Sequence, residues 1–216
     1  VCRKVRIAIT CINPLQYQHC YIDLGTSFED YQKKFSSKTR STINRKIRKY
    51  TEHCGGSLKW HSYRSPDEVP VFFQLARAVS KLTYQEKLLD AGLPDTPEFM
   101  EHSRSLAAKG QLRAYVLFDG ERPVSYLYCP VQDGVAIYAY LGYDPAYMHL
   151  SVGTVLQWLA LEEMFKEGEL RYFDFTEGQS DHKRLFATHQ RQCAHVYLVR
   201  PTLRNAAILR GHALMD

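Results

Sequence analysis

Ser151-Val152-Gly153-Thr154 stands where a loop free of Asp, Glu, Lys and Arg runs into an apolar helical pattern, and Asp174 lies near the end of a short apolar run, Leu170 to Phe175. A helix beginning at Ser151 aims unpaired backbone amides and its positive dipole end at the loop after the preceding strand, where a diphosphate can lie. Gly153 lets backbone approach phosphate closely. The plainer alternative is a serine helix cap followed by a packing glycine. Asp174 falls at the carboxyl end of its strand, the edge at which open sheets present ligand-binding groups. Around the same place cluster Tyr138, Tyr140, Tyr143 and Tyr147. Their phenols can orient a polar acceptor or a sugar, or simply pack against a sheet.

Those residues need elements to hold them. Val5 to Cys11 and His19 to Leu24 read as two strands, separated by Asn13-Pro14. Thr26 with Glu29 forms a capping box for a helix carrying Phe28, Tyr31 and Phe35. A second, basic helix has the stripe Ile43, Ile47 and Tyr50 and ends at Gly55-Gly56, before a strand over Leu58 to Tyr63. Ser65-Pro66-Asp67-Glu68 predicts a helix start and a run to Leu89; Asp95-Thr96-Pro97 predicts another, closed by Gly110. Strands over Gln111 to Phe118, Pro123 to Cys129 and Val135 to Gly142, with Asp-Gly turns between them, make an antiparallel meander. A helix from Val152 to Lys166, stopped by Gly168, then crosses to Leu170 to Phe175, which makes a parallel pair. A short helix over Asp181 to Thr188, a strand over Cys193 to Val199 and a terminal helix over Thr202 to Met215 follow.

At 216 residues the chain has room for one substantial domain. With 45% hydrophobic and 24% charged residues it is neither disordered nor of low complexity. The expected division is an N-terminal part, residues 1–56, packed on a core over 57–200, with a tail over 201–216. Six scattered cysteines point to reduced thiols in a cytoplasm rather than a disulfide framework. The start, Val-Cys-Arg-Lys, shows no secretory signal and reads as a processed end or a cloning boundary. The longest stretch without Asp, Glu, Lys or Arg, Pro145 to Leu161, is too short for a bilayer, so no transmembrane segment is expected. The net charge of +5 is local: Tyr31 to Tyr50 holds Lys33, Lys34, Lys38, Arg40, Arg45, Lys46, Arg48 and Lys49 and no acid, and elsewhere acids outnumber bases. This basic helix could contact tRNA or another anionic polymer, or be a solvated face. Cys193-Ala194-His195 and His53-Cys54 lack metal-site spacing, and no serine-hydrolase elbow or phosphate loop of the Walker type occurs.

The order of elements, together with Gly142-Tyr143-Asp144-Pro145-Ala146-Tyr147, Ser151-Val152-Gly153-Thr154, Phe173-Asp174-Phe175, Gly178 and His182-Lys183 with Phe186, resembles the GNAT superfamily of acyltransferases. Within it the series is similar to the cellulose-biosynthesis-like acetyltransferases, which are akin to the Fem-type aminoacyltransferases of peptidoglycan assembly. The resemblance spans roughly Tyr31 to Val199 and is most specific from Ser151 to Phe186. It implies a mixed α/β GNAT fold: a mainly antiparallel sheet with one parallel strand pair and helices on both faces. It also implies acetyl-CoA or another acyl-CoA as co-substrate, no metal, and a small-molecule or glycan acceptor of cell-envelope or amino-sugar chemistry. Ser151, Val152, Gly153 and Thr154 would then hold the diphosphate, and Tyr140 and Leu141 would border the thioester arm, which lies where the last meander strand leaves the parallel strand. Lys183 matches the lysine of a family Tyr-Lys pair. Its ammonium could stabilise an oxyanion or grip phosphate, or it could form a structural ion pair with Asp174. His182 stands where the family has Tyr, and could accept the acceptor's proton or be a bystander. The superfamily loop carries a Gln or Arg and two close glycines, whereas here Gly153 stands alone. Two rivals remain: Fem-type transfer from aminoacyl-tRNA, and a non-catalytic anionic-polymer-binding module on the same fold.

Overall fold

The structure, a computed structural model, describes residues 16–83, 92–178, 180–195 and 202–213. The expected strand over Val5 to Cys11 lies outside them, as does most of the strand expected over Cys193 to Val199; the helix expected to run to Leu89 ends instead at Ser80, where the Lys81 amide closes back on the Arg77 carbonyl, and residues 84–89 lie outside the described residues. The strands are β1 (Gln16–Asp23), β2 (Lys59–Tyr63), β3 (Leu112–Asp119), β4 (Arg122–Gln132), β5 (Val135–Ile137), β6 (Tyr140–Tyr143), β7 (Tyr172–Asp174) and β8 (His189–Ala194). They form one sheet in the order β2-β3-β4-β5-β7-β1-β8, with β6 also on β4. Among the described residues pairing is antiparallel except between β5 and β7. The fold is thus the mixed α/β arrangement with a single parallel pair. Asp133 and Gly134 take φ of 50° and 76°, as the two-residue turn from β4 to β5 requires.

Among the described residues the helices are α1 (Phe28–Lys33), α2 (Ser37–His53), α3 (Val69–Ser80), α4 (Pro97–Ala108), α5 (Val152–Glu167), α6 (Asp181–Phe186) and α7 (Leu203–Ala213), with a 3-10 turn over Pro145–Leu150. They cover both faces of the central strands, so β3 is buried along nearly its whole length instead of alternating. One core joins α1, α2 and α5 to the sheet through Phe28, Tyr31, Phe35, Tyr50, Trp158 and Phe173. The other packs α3 and α4 against the opposite face through Phe72, Phe73, Val116 and Tyr128.

Three boundaries move, each for a local reason. The cap of α1 is Ser27, whose Oγ accepts the Asp30 amide at 3.0 Å, one residue past the expected Thr26. The Glu68 carboxylate accepts the amides of Arg64 and Ser65 at 3.0 and 2.9 Å, so Ser65 to Glu68 closes as a turn and α3 begins only at Val69. The last described strand is the polar β8, four residues earlier than expected. It sits at the sheet edge, where pairing with β1 rather than apolarity selects it.

A buried ion network fixes the far end of α5. Arg113 donates through Nε to both oxygens of Glu167 at 2.9 Å and through Nη1 to the carbonyls of Gly110 and Leu112 at 2.8 and 2.9 Å. Arg64 Nη1 also reaches Glu167, at 3.0 Å. With its C-terminal end tied to β3, α5 presents its N-terminus at a defined height above β6.

Candidate active site

The strand expected over Val135 to Gly142 is broken in two. The Tyr138 amide donates to the Asp174 carbonyl at 2.8 Å, the last bond of the parallel pair, and the Ala139 amide turns to the Tyr128 carbonyl on β4. Beyond that point β6 pairs with β4 alone, so its other edge faces the space that β7 has left. Gly142 allows this course, because a Cβ there would lie 2.3 Å from the Tyr126 ring.

After β6 the chain is braced sideways. Asp144 caps the 3-10 turn through the Ala146 amide at 3.0 Å and takes Arg122 Nη2 at 2.6 Å. Tyr147 donates its hydroxyl to Asp119 at 2.8 Å, and this bond, with His53, holds the Asp119 carboxyl below the usual range. The turn ends at Ser151 with φ of 56°. A left-handed serine is unusual, and its side chain makes no capping bond. The plain helix cap is therefore not what forms. The amides of Val152, Gly153 and Thr154 have no acceptor among the described residues. Gly153 is held tightly: a Cβ would lie 3.2 Å from Leu141 and 3.3 Å from Tyr143.

The far wall is α6, which is clamped by α1. Tyr31 donates its hydroxyl to the Phe186 carbonyl at 2.8 Å, and Lys34 Nζ donates to the carbonyls of Leu185 and Ala187 at 2.7 and 2.6 Å. Burial pushes the Lys34 ammonium down to about 8.

Between these walls lies a cleft of about 360 Å³ lined by Tyr138, Leu141, Tyr143, Met148, Ser151 to Thr154 and His182. Most of the residues singled out from sequence meet here. Met148, exposed at its mouth, carried no sequence signal. Tyr140 turns the other way, against Phe99 and Tyr128, and Tyr147 faces the β3–β4 hairpin. Asp174 and Lys183 do not line the cleft, nor do they pair with each other. Asp174 Oδ1 takes His19 Nε2 at 3.0 Å and the Thr176 amide at 2.7 Å, and Lys183 Nζ donates to the Glu177 carbonyl at 2.6 Å. Burial lowers the Lys183 pKa, against the pull of the nearby Asp174 and Glu177 carboxylates.

His182 Nε2 lies 2.7 Å from Oε1 of the fully buried Gln157, whose Nε2 has no partner among the described residues. Burial, then the positive charges of Lys46 and Lys183, lower the His182 pKa. The folded protein therefore binds fewer protons there than the unfolded chain, and His182 removes stability as pH falls through about 6.5, the ordinary histidine range. Chemical denaturation at about pH 7 and about pH 5 should show a smaller loss for His182→Phe than for wild type. Equal losses would contradict this.

Residues 37–184 match the family model described as acetyltransferase (GNAT) domain. The chain belongs to that family. Among solved structures, this GNAT domain is similar to the C-terminal DUF2156 domain of a protein described as a lysylphosphatidylglycerol synthetase from Agrobacterium fabrum, with 13% identity and a TM-score of 0.59, covering 93% of this chain and 63% of that one. L-PGS from Bacillus licheniformis gives 14% identity and 0.56 over 93% and 65%. FemX gives 10% identity and 0.55 over 91% and 64%. These likenesses concern the fold, and the chain spans less than two thirds of each of those three chains. No curated protein matches it in sequence. Among the described residues, no helix is long and apolar enough to cross a membrane and no group of three His, Cys, Asp or Glu is placed to hold a metal ion.

Proposed function

We propose that this GNAT domain moves an acyl group, acetyl in the simplest case, from acyl-coenzyme A to an amine or hydroxyl acceptor of amino-sugar or cell-envelope polysaccharide chemistry. One observation carries the reading: the cleft runs from three unpaired amides at Val152, Gly153 and Thr154 to Tyr138, where the chain leaves β7 and goes on as β6 on β4 alone. Helix amides and dipole suit a diphosphate, and the free edge of β6 suits the amides of the thioester arm. Tyr138 and Tyr143 supply aromatic surface for a sugar. Asp174, Lys183 and His182 stand on the strand end and helix that border the path. The acceptor attacks the thioester carbonyl directly, and its alignment in the cleft supplies much of the rate. The four described cysteines are free thiols, which fits a reducing, cytoplasmic setting.

A thermal-shift panel of acetyl-CoA, longer acyl-CoAs and tRNA tests this. A bound acyl-CoA at a hundredfold its Kd adds about 2.7 kcal/mol, or roughly 5–10 °C for a domain of this size. Silence from every CoA would overturn the reading. A response to tRNA alone would favour aminoacyl-tRNA as donor, a reading supported by Arg40, Arg45 and Arg48 on one exposed face of α2 and by Lys46 near His182. Steeply salt-dependent binding of an anionic polymer, indifferent to loss of Asp174 and Lys183, would favour a pure binding module.

A further inference from the structure

We propose that Lys46 and Lys49 of α2 grip the diphosphate of the acyl donor at the mouth of the cleft; the proposal rests on the acyl-transfer reading above and names the side chains that recognise its donor.

The course of α2 puts it across both walls of the cleft. Phe35, just before the helix, packs edge-on against Phe186 of α6 with ring centroids 6.0 Å apart. At the other end Tyr50 donates its hydroxyl to the Phe118 carbonyl in the β3–β4 hairpin at 2.7 Å. Ile43 and Tyr50 are buried, which fixes the rotation of the helix. Between these anchors Lys49 Nζ donates to the His149 carbonyl at 3.1 Å. His149 belongs to the 3-10 turn and stands between Met148 and Ser151, both of which line the cleft. An ammonium is thereby fixed beside the turn that leads into the free amides of Val152 to Thr154. Lys46 is one turn nearer α6 on the neighbouring helix position. Its charge is felt by His182, which lines the wall opposite the 3-10 turn. One lysine therefore stands at each side of the mouth.

The charges of the basic segment divide by what they already touch. Lys33 is paired with Asp30, Lys34 is spent on the carbonyls of Leu185 and Ala187, and Arg48 faces Glu52 at 3.6 Å. Arg40 and Arg45 line a separate groove on the outward side of α2. Lys46 and Lys49 have no carboxylate partner among the described residues, and Glu52 is the one acid of the helix. A diphosphate brings more negative charge than the roughly half-charge of a helix N-terminus offsets. Lysine supplies the remainder as a compact point charge, and its bond to phosphate is of the strong, charge-assisted kind. The amides fix where the diphosphate lies, and the two ammonium groups neutralise it from the solvent side.

Calorimetric titration with coenzyme A tests this. Lys46→Gln and Lys49→Gln should each weaken binding by about tenfold, and the double variant by about 10²-fold, the scale of losing one or two hydrogen bonds to a charged group. Lys46→Arg, which keeps the charge, should keep most of the affinity. Between about 0.01 and about 0.15 M ionic strength the affinity of wild type should fall more steeply than that of the double variant. A merely structural role, such as the Lys49 bond to the 3-10 turn, would lower the melting temperature without changing that salt dependence. 3′-Dephospho-coenzyme A retains the diphosphate, so the variants should lose the same factor with it; a loss that vanishes with this ligand overturns the assignment. Unchanged coenzyme A affinity in the double variant, or an equal loss in Arg40→Gln and Arg45→Gln, also overturns it and leaves acyl transfer standing. Wild type that binds no coenzyme A overturns both.

Discussion

Gly153→Glu should weaken binding of acetyl-CoA by about 10²-fold or more, because setting like charges together in a recognition site costs several kcal/mol and each 1.4 kcal/mol is tenfold. Two effects act in the same direction. A side chain at this position meets Leu141 and Tyr143 at 3.2 and 3.3 Å from its first carbon, so the start of α5 must lift off β6. The new carboxylate would also occupy the positive end of the helix and compete for the amides of Val152 to Thr154. Gly153→Ala separates the two, since it keeps the crowding and brings no charge; it should bind better than Gly153→Glu and worse than wild type. Isothermal titration of all three checks the order. Equal affinity in wild type and Gly153→Glu would mean that phosphate does not visit the head of α5.

Glu167→Ala should cost about 3–5 kcal/mol, the usual result of removing one partner of a buried ion pair. The reason is what stays behind. Arg113 is buried and keeps two backbone carbonyls and a longer contact to the exposed Glu169 at 3.3 Å, but loses its buried carboxylate partner, and Arg64 loses an ion pair as well. For a domain of this size the loss corresponds to roughly 6–20 °C in Tm. A pH dependence follows. Burial alone would raise the Glu167 pKa, yet the hydrogen bonds and charge of Arg113, with Arg64, hold it below its usual value. A depressed carboxyl contributes stability above its unfolded pKa, and that contribution disappears as pH falls through the folded one. Glu167→Gln should therefore approach wild type in stability under acid conditions and fall behind at neutral pH. A variant equally behind wild type at both would show that packing, not charge, is what Glu167 supplies.

Much of the frame was legible in sequence because it is written in local chemistry. Thr96-Pro97 opens α4, Gly168 with φ of 68° closes α5, and Asp133-Gly134 turns β4 into β5, each obeying a rule confined to a few neighbouring residues. The serine, glycine and threonine at the head of α5 fall beside β6 because the crossover between the parallel strands β5 and β7 leaves little choice of geometry, whereas the histidine of α6 reaches the same cleft through the clamp of Tyr31 and Lys34.

What was hidden depends on partners far away in the chain. Val135 to Gly142 reads as one strand, since Tyr138 and Ala139 suit a strand; only the switch of backbone partner from β7 to β4 breaks it. Tyr140 and Tyr147 look like cleft residues by proximity in sequence, but the break reverses the face of the one, and Asp119 captures the other. His19 gave no signal at all. A lone histidine in a polar strand acquires a carboxylate partner only when the register of β1 on β7 is known. The polar β8 escaped for a similar reason, since an edge strand need not be apolar.

The central claim is that the head of α5 receives the diphosphate of an acyl donor, and backbone amide resonances report on it directly. On titration with coenzyme A, the largest nitrogen–proton shifts should fall on Val152, Gly153 and Thr154, with smaller ones on Leu141 and His182. Shifts concentrated on Arg40, Arg45 and Arg48 of α2, with those three amides still, would contradict it.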